Sequence, residues 1–244
     1  MKLSEVENPN AKRLKITPLK YSSDELDTSI PHPLPQNFSW FFMLVGKPKS
    51  GKTTLLYSLI AKRGRGYNRK FDKVLVFSPS IFGGNIKENP LDSLPEENKF
   101  TDLDDLEEQI QQIYGTHTHE RVLFILDDIQ AEIKGDKLNT LLDLVNNRRH
   151  YTSGGCSILL CTQVWVQIPL SIRKGCSHIF FWSSKNKKEI KSVHDEYLSH
   201  LSDDELKKIL KFTWRKTHDF LLISTYQSQD KMLFRNWNQI ILDE

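Results

Sequence analysis

The chain has 244 residues, with 34 Lys and Arg against 31 Asp and Glu, a length that suits one substantial α/β domain or two small ones. No apolar run of about 18 residues occurs, so we expect neither a transmembrane helix nor a membrane partner. A polar N-terminus predicts no secretory signal. The three cysteines, Cys156, Cys161 and Cys176, lack paired metal spacing, which indicates a soluble chain in a reducing, intracellular compartment.

Residues 1–37 read as a polar, partly disordered N-terminal extension, because Pro31, Pro33 and Pro35 discourage regular structure. The basic cluster at 11–15 fits either a nuclear address or a solvated tail. Residues 38–244 are predicted to form one domain in which apolar strands alternate with helices, a pattern typical of βαβ units and a parallel sheet.

The first strand and helix candidates, 40–45 and 51–63, enclose a P-loop pattern, G-x-x-x-x-G-K-[ST]. Its residues are Gly46, Lys47, Pro48, Lys49, Ser50, Gly51, Lys52 and Thr53. The glycines let backbone N–H groups wrap around phosphate oxygens at a helix N-terminus. Lys52 reaches the β- and γ-phosphates, and the Thr53 hydroxyl ligates Mg²⁺. We therefore predict an ATP site made of these residues and Thr54.

The next strand candidate is 73–78, followed by a predicted loop at 83–101 and a helix at 102–114. The strand candidate 121–126 then ends in Asp127 and Asp128, as a Walker B strand does. Asp127 is predicted to hold Mg²⁺ and Asp128 to polarise the attacking water. The strand at 73–78 separates the P-loop from the acids, which indicates the RecA-like branch of P-loop NTPases.

A predicted helix at 136–149 ends in Arg148 and Arg149. Two interpretations stay open: favourable cations at a helix C-terminus, or an arginine finger acting on a neighbouring subunit. The strand candidate 157–162 leads to Gln163, which is either an ordinary polar strand end or a residue that senses the γ-phosphate. Arg173 is a further candidate for the finger.

The remaining strand candidates are 178–182, 219–225 and 232–236, and the last two are predicted to form a hairpin. Helices are predicted at 187–200 and 202–212. The predicted fold is α/β: a RecA-like P-loop domain with a mostly parallel central sheet, helices on both faces and a C-terminal β-hairpin extension.

This series of motifs resembles the genome-packaging ATPases of large eukaryotic DNA viruses, virophages and Maverick/Polinton elements, including the poxvirus-like ones, in the FtsK–HerA superfamily. The likeness covers about residues 38–240, and beyond the P-loop and the acid strand it rests on Arg149-His150, Thr162-Gln163, Ile168-Pro169 and Arg173. The resemblance implies a homo-oligomeric ring that hydrolyses ATP and moves double-stranded DNA into a capsid. It also implies Arg149 as trans finger, Gln163 as sensor, a capsid or portal-vertex partner, and action at a cytoplasmic or nuclear assembly site or in the virion.

Three basic clusters are candidates for contact with the DNA backbone, which would give little sequence preference. They are Lys62, Arg63, Arg65, Arg69, Lys70 and Lys73; Lys185, Lys187, Lys188 and Lys191; and Lys207, Lys208, Lys211, Arg215 and Lys216. Each is also open to interpretation as a solvated face, which is the usual role of such charge runs. The alternatives to a motor are another P-loop enzyme, a helicase or nucleotide kinase, and a nucleotide-dependent assembly switch without turnover.

Overall fold

The computed structural model describes residues 21–60, 66–80, 89–116 and 118–242. The basic cluster at 11–15 and the three cations Lys62, Arg63 and Arg65 lie outside these ranges. Among the described helices, none has both the length and the apolar character that crossing a lipid bilayer requires.

Within the described residues, nine strands form one sheet in the order β3-β2-β4-β5-β1-β6-β7-β8-β9. Their bounds are Phe41–Val45 (β1), Lys73–Phe77 (β2), Lys99–Phe100 (β3), Val122–Asp127 (β4), Cys156–Thr162 (β5), His178–Trp182 (β6), Phe220–Ser224 (β7), Leu233–Arg235 (β8) and Asn238–Gln239 (β9). The first six strands pair in parallel, and β7, β8 and β9 continue the sheet antiparallel. The predicted mostly parallel sheet and the predicted C-terminal hairpin are both confirmed.

The P-loop strand β1 lies between β5 and β6, and β5 separates it from the acid strand β4. This order places the carboxyl ends of β1, β5 and β4 side by side at one edge of the sheet. Ligands of open α/β sheets bind at this edge, outside the carboxyl ends of the strands.

The central strands of the sheet are buried on both faces, as their uninterrupted apolar runs require. The helices are Lys52–Ile60 (α1), Leu106–Thr116 (α2), Gly135–Asn147 (α3), Leu170–Arg173 (α4), Lys187–Tyr197 (α5) and Asp203–Thr213 (α6). Alternate residues of β1 enter different cores: Phe41 and Met43 pack with residues of α2, α3, α5 and α6, whereas Phe42 and Leu44 pack with α1. The prediction of helices on both faces is therefore confirmed.

The predicted loop at 83–101 is wrong at its end. Lys99 and Phe100 form β3, which pairs in parallel with Val76 and Phe77 of β2, and Phe100 stacks on Phe77 at 4.5 Å between ring centroids. The short helix α4 and the edge strand β9 were also not predicted. Each has four residues or fewer, too few to show a period in the sequence.

Residues 21–37, the described part of the predicted extension, contain turns and one short 3-10 turn at Ser22–Asp24. Ile30 and Leu34 are nevertheless buried, in the same core as α1. The segment is also held to the domain by Lys70, whose Nζ lies 2.7 Å from an Asp27 carboxylate oxygen. The division at residues 37 and 38 remains a prediction.

Candidate functional site: a nucleotide cleft at the sheet edge

The P-loop connects β1 to α1 in a backbone path that depends on its glycines. The backbone is left-handed at Lys49 (φ 65°) and at Gly51 (φ 110°), and the second value strongly favours glycine. At Gly46 a Cβ would lie 2.7 Å from Ser50 Oγ and 2.9 Å from Trp182 Cβ, so this position accepts no side chain. Because α1 begins at Lys52, its unpaired N-terminal amides face the loop.

Lys52 and Thr53 lie inside a cleft of about 280 Å³. Lys52 is buried, and its ammonium donates to the Gly46 carbonyl at 2.6 Å and to the Lys47 carbonyl at 3.3 Å. The cleft is lined by residues 48–54, Ser80, Asp127, Asp128, Gln163 and His218. Residues 48–54 of the predicted ATP site thus share one cavity with the predicted acids and the predicted sensor, whereas Gly46 and Lys47 of that predicted site do not line it.

Asp127 ends β4 with its carboxylate buried, and Ser78 Oγ donates to Oδ2 at 3.4 Å. Burial, together with the charge of Asp128, raises the pKa of Asp127 to about 6, although Lys52 opposes the shift. A raised carboxyl pKa means that burial of the charged form costs free energy. This cost is expected where an anionic oxygen is presented to a cation inside a cleft. Hard oxygens such as the Asp127 carboxylate and the Thr53 hydroxyl are the ligands that Mg²⁺ prefers, so the cleft fits that ion.

Asp128 has a left-handed backbone, with φ at 56°. This conformation is uncommon for a residue with a side chain, although Asp tolerates it better than most, and such outliers cluster at functional sites. The Asp128 N–H donates to the Cys161 carbonyl of β5 at 3.3 Å. Gln163 Nε2 lies 3.3 and 3.5 Å from the two Asp128 carboxylate oxygens. Gln163 and Asp128 are therefore joined across neighbouring strands.

The three candidate arginines differ sharply in their surroundings. Arg148 is buried, and its guanidinium donates to the Ser39 carbonyl at 2.7 Å, to the Val145 carbonyl, and to the Tyr226 hydroxyl at 3.0 Å. Arg148 therefore ties the end of α3 to the start of β1 within its own subunit. The structure argues against a trans role for this residue.

Arg173 is also buried, and its guanidinium lies 2.9 Å from a Glu196 carboxylate oxygen and 5.0 Å from the Trp165 ring centroid. Withdrawing it would leave Glu196 without its cation, which is costly for a buried charge. As with Arg148, the structure argues against the predicted trans role of Arg173, because its guanidinium pairs with Glu196 inside the subunit.

Arg149, in contrast, keeps 43% of its side chain exposed. Its guanidinium pairs with Asp24 at 2.8 Å and lies 4.9 Å from the Tyr21 ring centroid. It precedes β5, whereas the cleft lies at the carboxyl end of that strand, and seven residues of strand span roughly 20 Å. Arg149 is therefore remote from the cleft of its own chain.

The cleft contains two residues that the sequence analysis missed, Ser80 and His218. Ser80 follows β2, next to the strand tip where Ser78 contacts Asp127, and a search for polar residues after each predicted strand could have found it. His218 precedes β7, and its Nδ1 lies 3.0 Å from the Ser50 carbonyl oxygen. No pattern in the sequence links His218 to the P-loop, because the contact joins residues 168 positions apart.

Solved structures with the same fold include viral and bacterial P-loop ATPases. The genome packaging NTPase B204 from Sulfolobus turreted icosahedral virus 2, in complex with sulfate, is 16% identical, with a TM-score of 0.57 over 85% of this chain and 100% of that one. The same NTPase in complex with AMPPCP is 17% identical, with a TM-score of 0.54 over 78% and 94%. The cytoplasmic domain of the type VII secretion ATPase EccC from Thermomonospora curvata is 13% identical, with a TM-score of 0.51 over 85% and 25%.

These likenesses confirm the predicted P-loop NTPase fold. No curated protein matches the chain. A family model described as the poxvirus A32 protein matches residues 36–219, which include the P-loop, the acid strand, Arg149, Gln163 and Arg173. The predicted resemblance to viral genome-packaging ATPases is confirmed by this match, and the chain belongs to the family of the poxvirus A32 protein.

Proposed function

We propose that this chain is an ATP-hydrolysing motor of the FtsK–HerA type that moves double-stranded DNA into a viral capsid. The observation that carries the proposal is the convergence of Lys52, Asp127, Asp128 and Gln163 in one cleft at the ends of three neighbouring strands. The similar NTPase B204 is described as a genome packaging protein and was solved with AMPPCP, which supports a nucleoside triphosphate as the ligand.

The P-loop, the two acids and Gln163 each have a task in phosphoryl transfer to water. Lys52 exchanges the Gly46 carbonyl for phosphate oxygens, and the P-loop amides hold the phosphate chain in place. Thr53 and Asp127 would hold Mg²⁺, which when bound neutralises charge on the phosphates. Asp128 accepts a proton from the attacking water, and Gln163 fixes the orientation of the Asp128 carboxylate.

Arg149 would supply the missing cation to the cleft of a neighbouring subunit, which makes the active unit a homo-oligomeric ring. Its exposure and its distance from its own cleft support action in trans rather than in cis. A cation directed at the transferring phosphoryl group stabilises the charge that develops there. Before it can reach a neighbour, Arg149 must leave Asp24, an exposed pair that costs at most about 1 kcal/mol to break.

The DNA contact is assigned to exposed cations that read the phosphate backbone and not the bases. Lys187 and Lys188 begin α5 and are exposed, as are Lys185 and Lys191 of the same cluster. Lys70 of the first cluster is instead paired with Asp27. We infer that the cluster at 185–191 contributes to DNA binding, and that a capsid or portal-vertex protein anchors the ring at the viral assembly site.

The direct test is ATP hydrolysis by the purified protein with and without duplex DNA, together with its oligomeric mass. We expect hydrolysis that rises with DNA and follows the oligomer fraction. A monomer as active as the oligomer would contradict the ring, and turnover indifferent to DNA would favour the other P-loop enzymes. A protein that binds ATP but never hydrolyses it, even with DNA and a formed ring, would be an assembly switch.

Mixing two inactive variants tests the trans arginine. Lys52→Ala removes the phosphate ligand and Arg149→Ala removes the finger, so each variant alone is expected to be inactive. In a ring assembled from equal amounts, about a quarter of the cleft interfaces combine an intact Lys52 with an intact neighbouring Arg149. Activity is therefore expected to return to about that fraction in the mixture. Arg148→Ala mixed with Lys52→Ala is the matched control. If the mixture of Arg149→Ala with Lys52→Ala recovers no activity, Arg149 is excluded as the finger.

A further inference from the structure

A groove of about 1500 Å³ adjoins the nucleotide cleft and shares Gly51, Thr54 and His218 with it. Its wall next to the P-loop is aromatic and is formed by Trp182, His218, Phe220 and Trp237. An extended ligand held by the P-loop can therefore continue into this groove without leaving the protein surface.

The strand order determines which end of a nucleoside triphosphate enters the groove. On one side of β1 lie β5 and β4, which carry Gln163 and the two acids. On the other side lie β6, which ends at Trp182, β7, which begins at Phe220, and β8, which precedes Trp237. Because β6 and β8 run parallel to β1 and β7 runs antiparallel, all three aromatic positions lie at the P-loop edge.

The terminal phosphate and the base are opposite ends of the same molecule. Lys52, Thr53 and Asp127 draw the β- and γ-phosphates towards the β5 and β4 side, because that side holds the cation ligands and the acids. The base then extends the other way, past Gly51 and Thr54, towards the aromatic wall.

Two rings of that wall are both exposed and held in place. The His218 imidazole is fixed over the P-loop by the 3.0 Å contact between Nδ1 and the Ser50 carbonyl, and Trp182 Nε1 donates to the His218 carbonyl at 3.2 Å. Trp237 is 40% exposed and packs edge-on against Phe220, with 5.5 Å between ring centroids. A large aromatic ring that stays exposed beside a ligand cleft is suited to stacking on a planar ligand.

We propose that the base of the bound nucleoside triphosphate stacks on Trp237 and His218 at this end of the groove. The inference rests on the proposed nucleotide binding and adds the two residues that hold the base. Stacking on aromatic rings accepts every base, because every base has a π-face. Affinity at this subsite therefore depends on the presence of a base and not on its identity.

The test compares ATP with inorganic tripolyphosphate, which has the same phosphate chain and no base. Dissociation constants of both probes are measured by calorimetry for the unmodified protein and for Trp237→Ala, Trp237→Leu and His218→Ala. We expect ATP affinity to fall about tenfold in each variant. Tripolyphosphate affinity is expected to stay within about twofold in the two Trp237 variants, because Trp237 does not line the phosphate cleft. Trp237→Phe, which keeps an aromatic face, is expected to recover most of the ATP affinity.

Phe212→Ala is the matched control, since Phe212 is a 45% exposed aromatic residue on α6 that does not line the groove. Equal weakening of both probes in the Trp237 variants, or weakening of neither, would overturn the base subsite and leave the proposed function standing. An unmodified protein that binds neither probe would overturn the proposed function, and the subsite with it. Trp237→Leu keeps apolar contact with Phe220 in case the alanine variant unfolds.

Discussion

At the scale of single residues, the cleft contains one buried charge and one uncommon backbone conformation, and each of them costs free energy of folding. Asp127 carries a buried carboxylate with a raised pKa, and Asp128 has a left-handed backbone. Neither feature stabilises the fold, and both place oxygens where a cation and a water molecule can use them. Costs of this kind, concentrated in one cavity, are typical of functional sites.

Asp128→Asn is expected to lower kcat for ATP hydrolysis by about 10²- to 10⁴-fold, because an amide cannot accept the proton of the attacking water. Asn tolerates the left-handed backbone at least as well as Asp, so the variant is expected to fold and to bind ATP with unchanged affinity. Steady-state turnover and nucleotide titration measure the two quantities separately. Unchanged turnover would remove Asp128 from the role of base.

Substitution of Arg148 is expected to lower the stability of the fold, whereas substitution of the adjacent Arg149 is expected to lower activity. Arg148→Ala leaves the Ser39 and Val145 carbonyls without their donor, so the free energy of unfolding is expected to fall by about 2–3 kcal/mol. Arg149→Ala removes the exposed pair with Asp24 and the contact with the Tyr21 ring, and it is expected to cost only about 1 kcal/mol. Urea denaturation measures both changes. Equal destabilisation by the two substitutions would contradict the contrast in their surroundings.

At the scale of elements, the strands meet through buried polar contacts as well as apolar ones. His178 begins β6, and its ring nitrogens lie 3.1 Å from Ser177 Oγ and from Ser224 Oγ of β7. Burial lowers the pKa of His178 from 6.5 to about 3, so the side chain is neutral in the folded protein at every moderate pH. The junction of the parallel and antiparallel parts of the sheet thus contains a group that acid can charge only in the unfolded chain.

His178 is expected to make the fold sensitive to acid. Between pH 6.5 and about 3 the unfolded chain protonates this histidine and the folded protein does not, so stability is lost as the pH falls through this window. At pH 5 the loss amounts to about 2 kcal/mol relative to pH 7. His178→Gln, which stays neutral, is expected to show a fall in unfolding free energy between pH 7 and pH 5 that is smaller by this amount. Identical pH profiles for the two proteins would contradict the assignment.

At the scale of the whole molecule, the formal net charge is only +3, so the proposed DNA binding must rely on local surfaces and not on a global field. The cations at 185–191 form one such surface at the start of α5. By comparison, the cluster on α6 lies close to acids of the same helix, and Lys207 is paired with Asp204 at 3.0 Å. The surface at 185–191 therefore offers more unneutralised charge to a phosphate backbone.

The double variant Lys187→Ala/Lys188→Ala is expected to weaken duplex binding and to reduce the slope of log affinity against log salt by about 1 to 2. ATP hydrolysis without DNA is expected to stay unchanged, because neither lysine lines the cleft. Lys207→Ala/Lys208→Ala is the matched control on α6. If the control variant shows the larger reduction in the slope of log affinity against log salt, the DNA contact lies on α6 instead.

The sequence by itself determined the elements with long patterns and the residues with local signatures. The P-loop strand, the acid strand and the C-terminal hairpin are apolar runs bounded by polar residues. Short runs of this kind predict buried strands, whose backbone groups form hydrogen bonds within a sheet. The P-loop residues and the two acids were predicted from the spacing that a phosphate and Mg²⁺ site requires, and their roles remain predictions. The short strand β3 had no such signature, so its pairing with β2 could not be predicted.

The tertiary structure alone decided which of two neighbouring arginines is available and which distant residues enter the cleft. Arg148 and Arg149 are adjacent residues of the same type, so the sequence does not distinguish them. In the structure, at the end of α3, the Arg148 side chain is buried in the subunit and the Arg149 side chain is exposed. His218 and Trp237 reach the P-loop edge because β7 and β8 reverse the chain beside β6. Contacts between residues so far apart depend on strand order and side-chain direction, which are properties of the folded sheet and not of any local pattern.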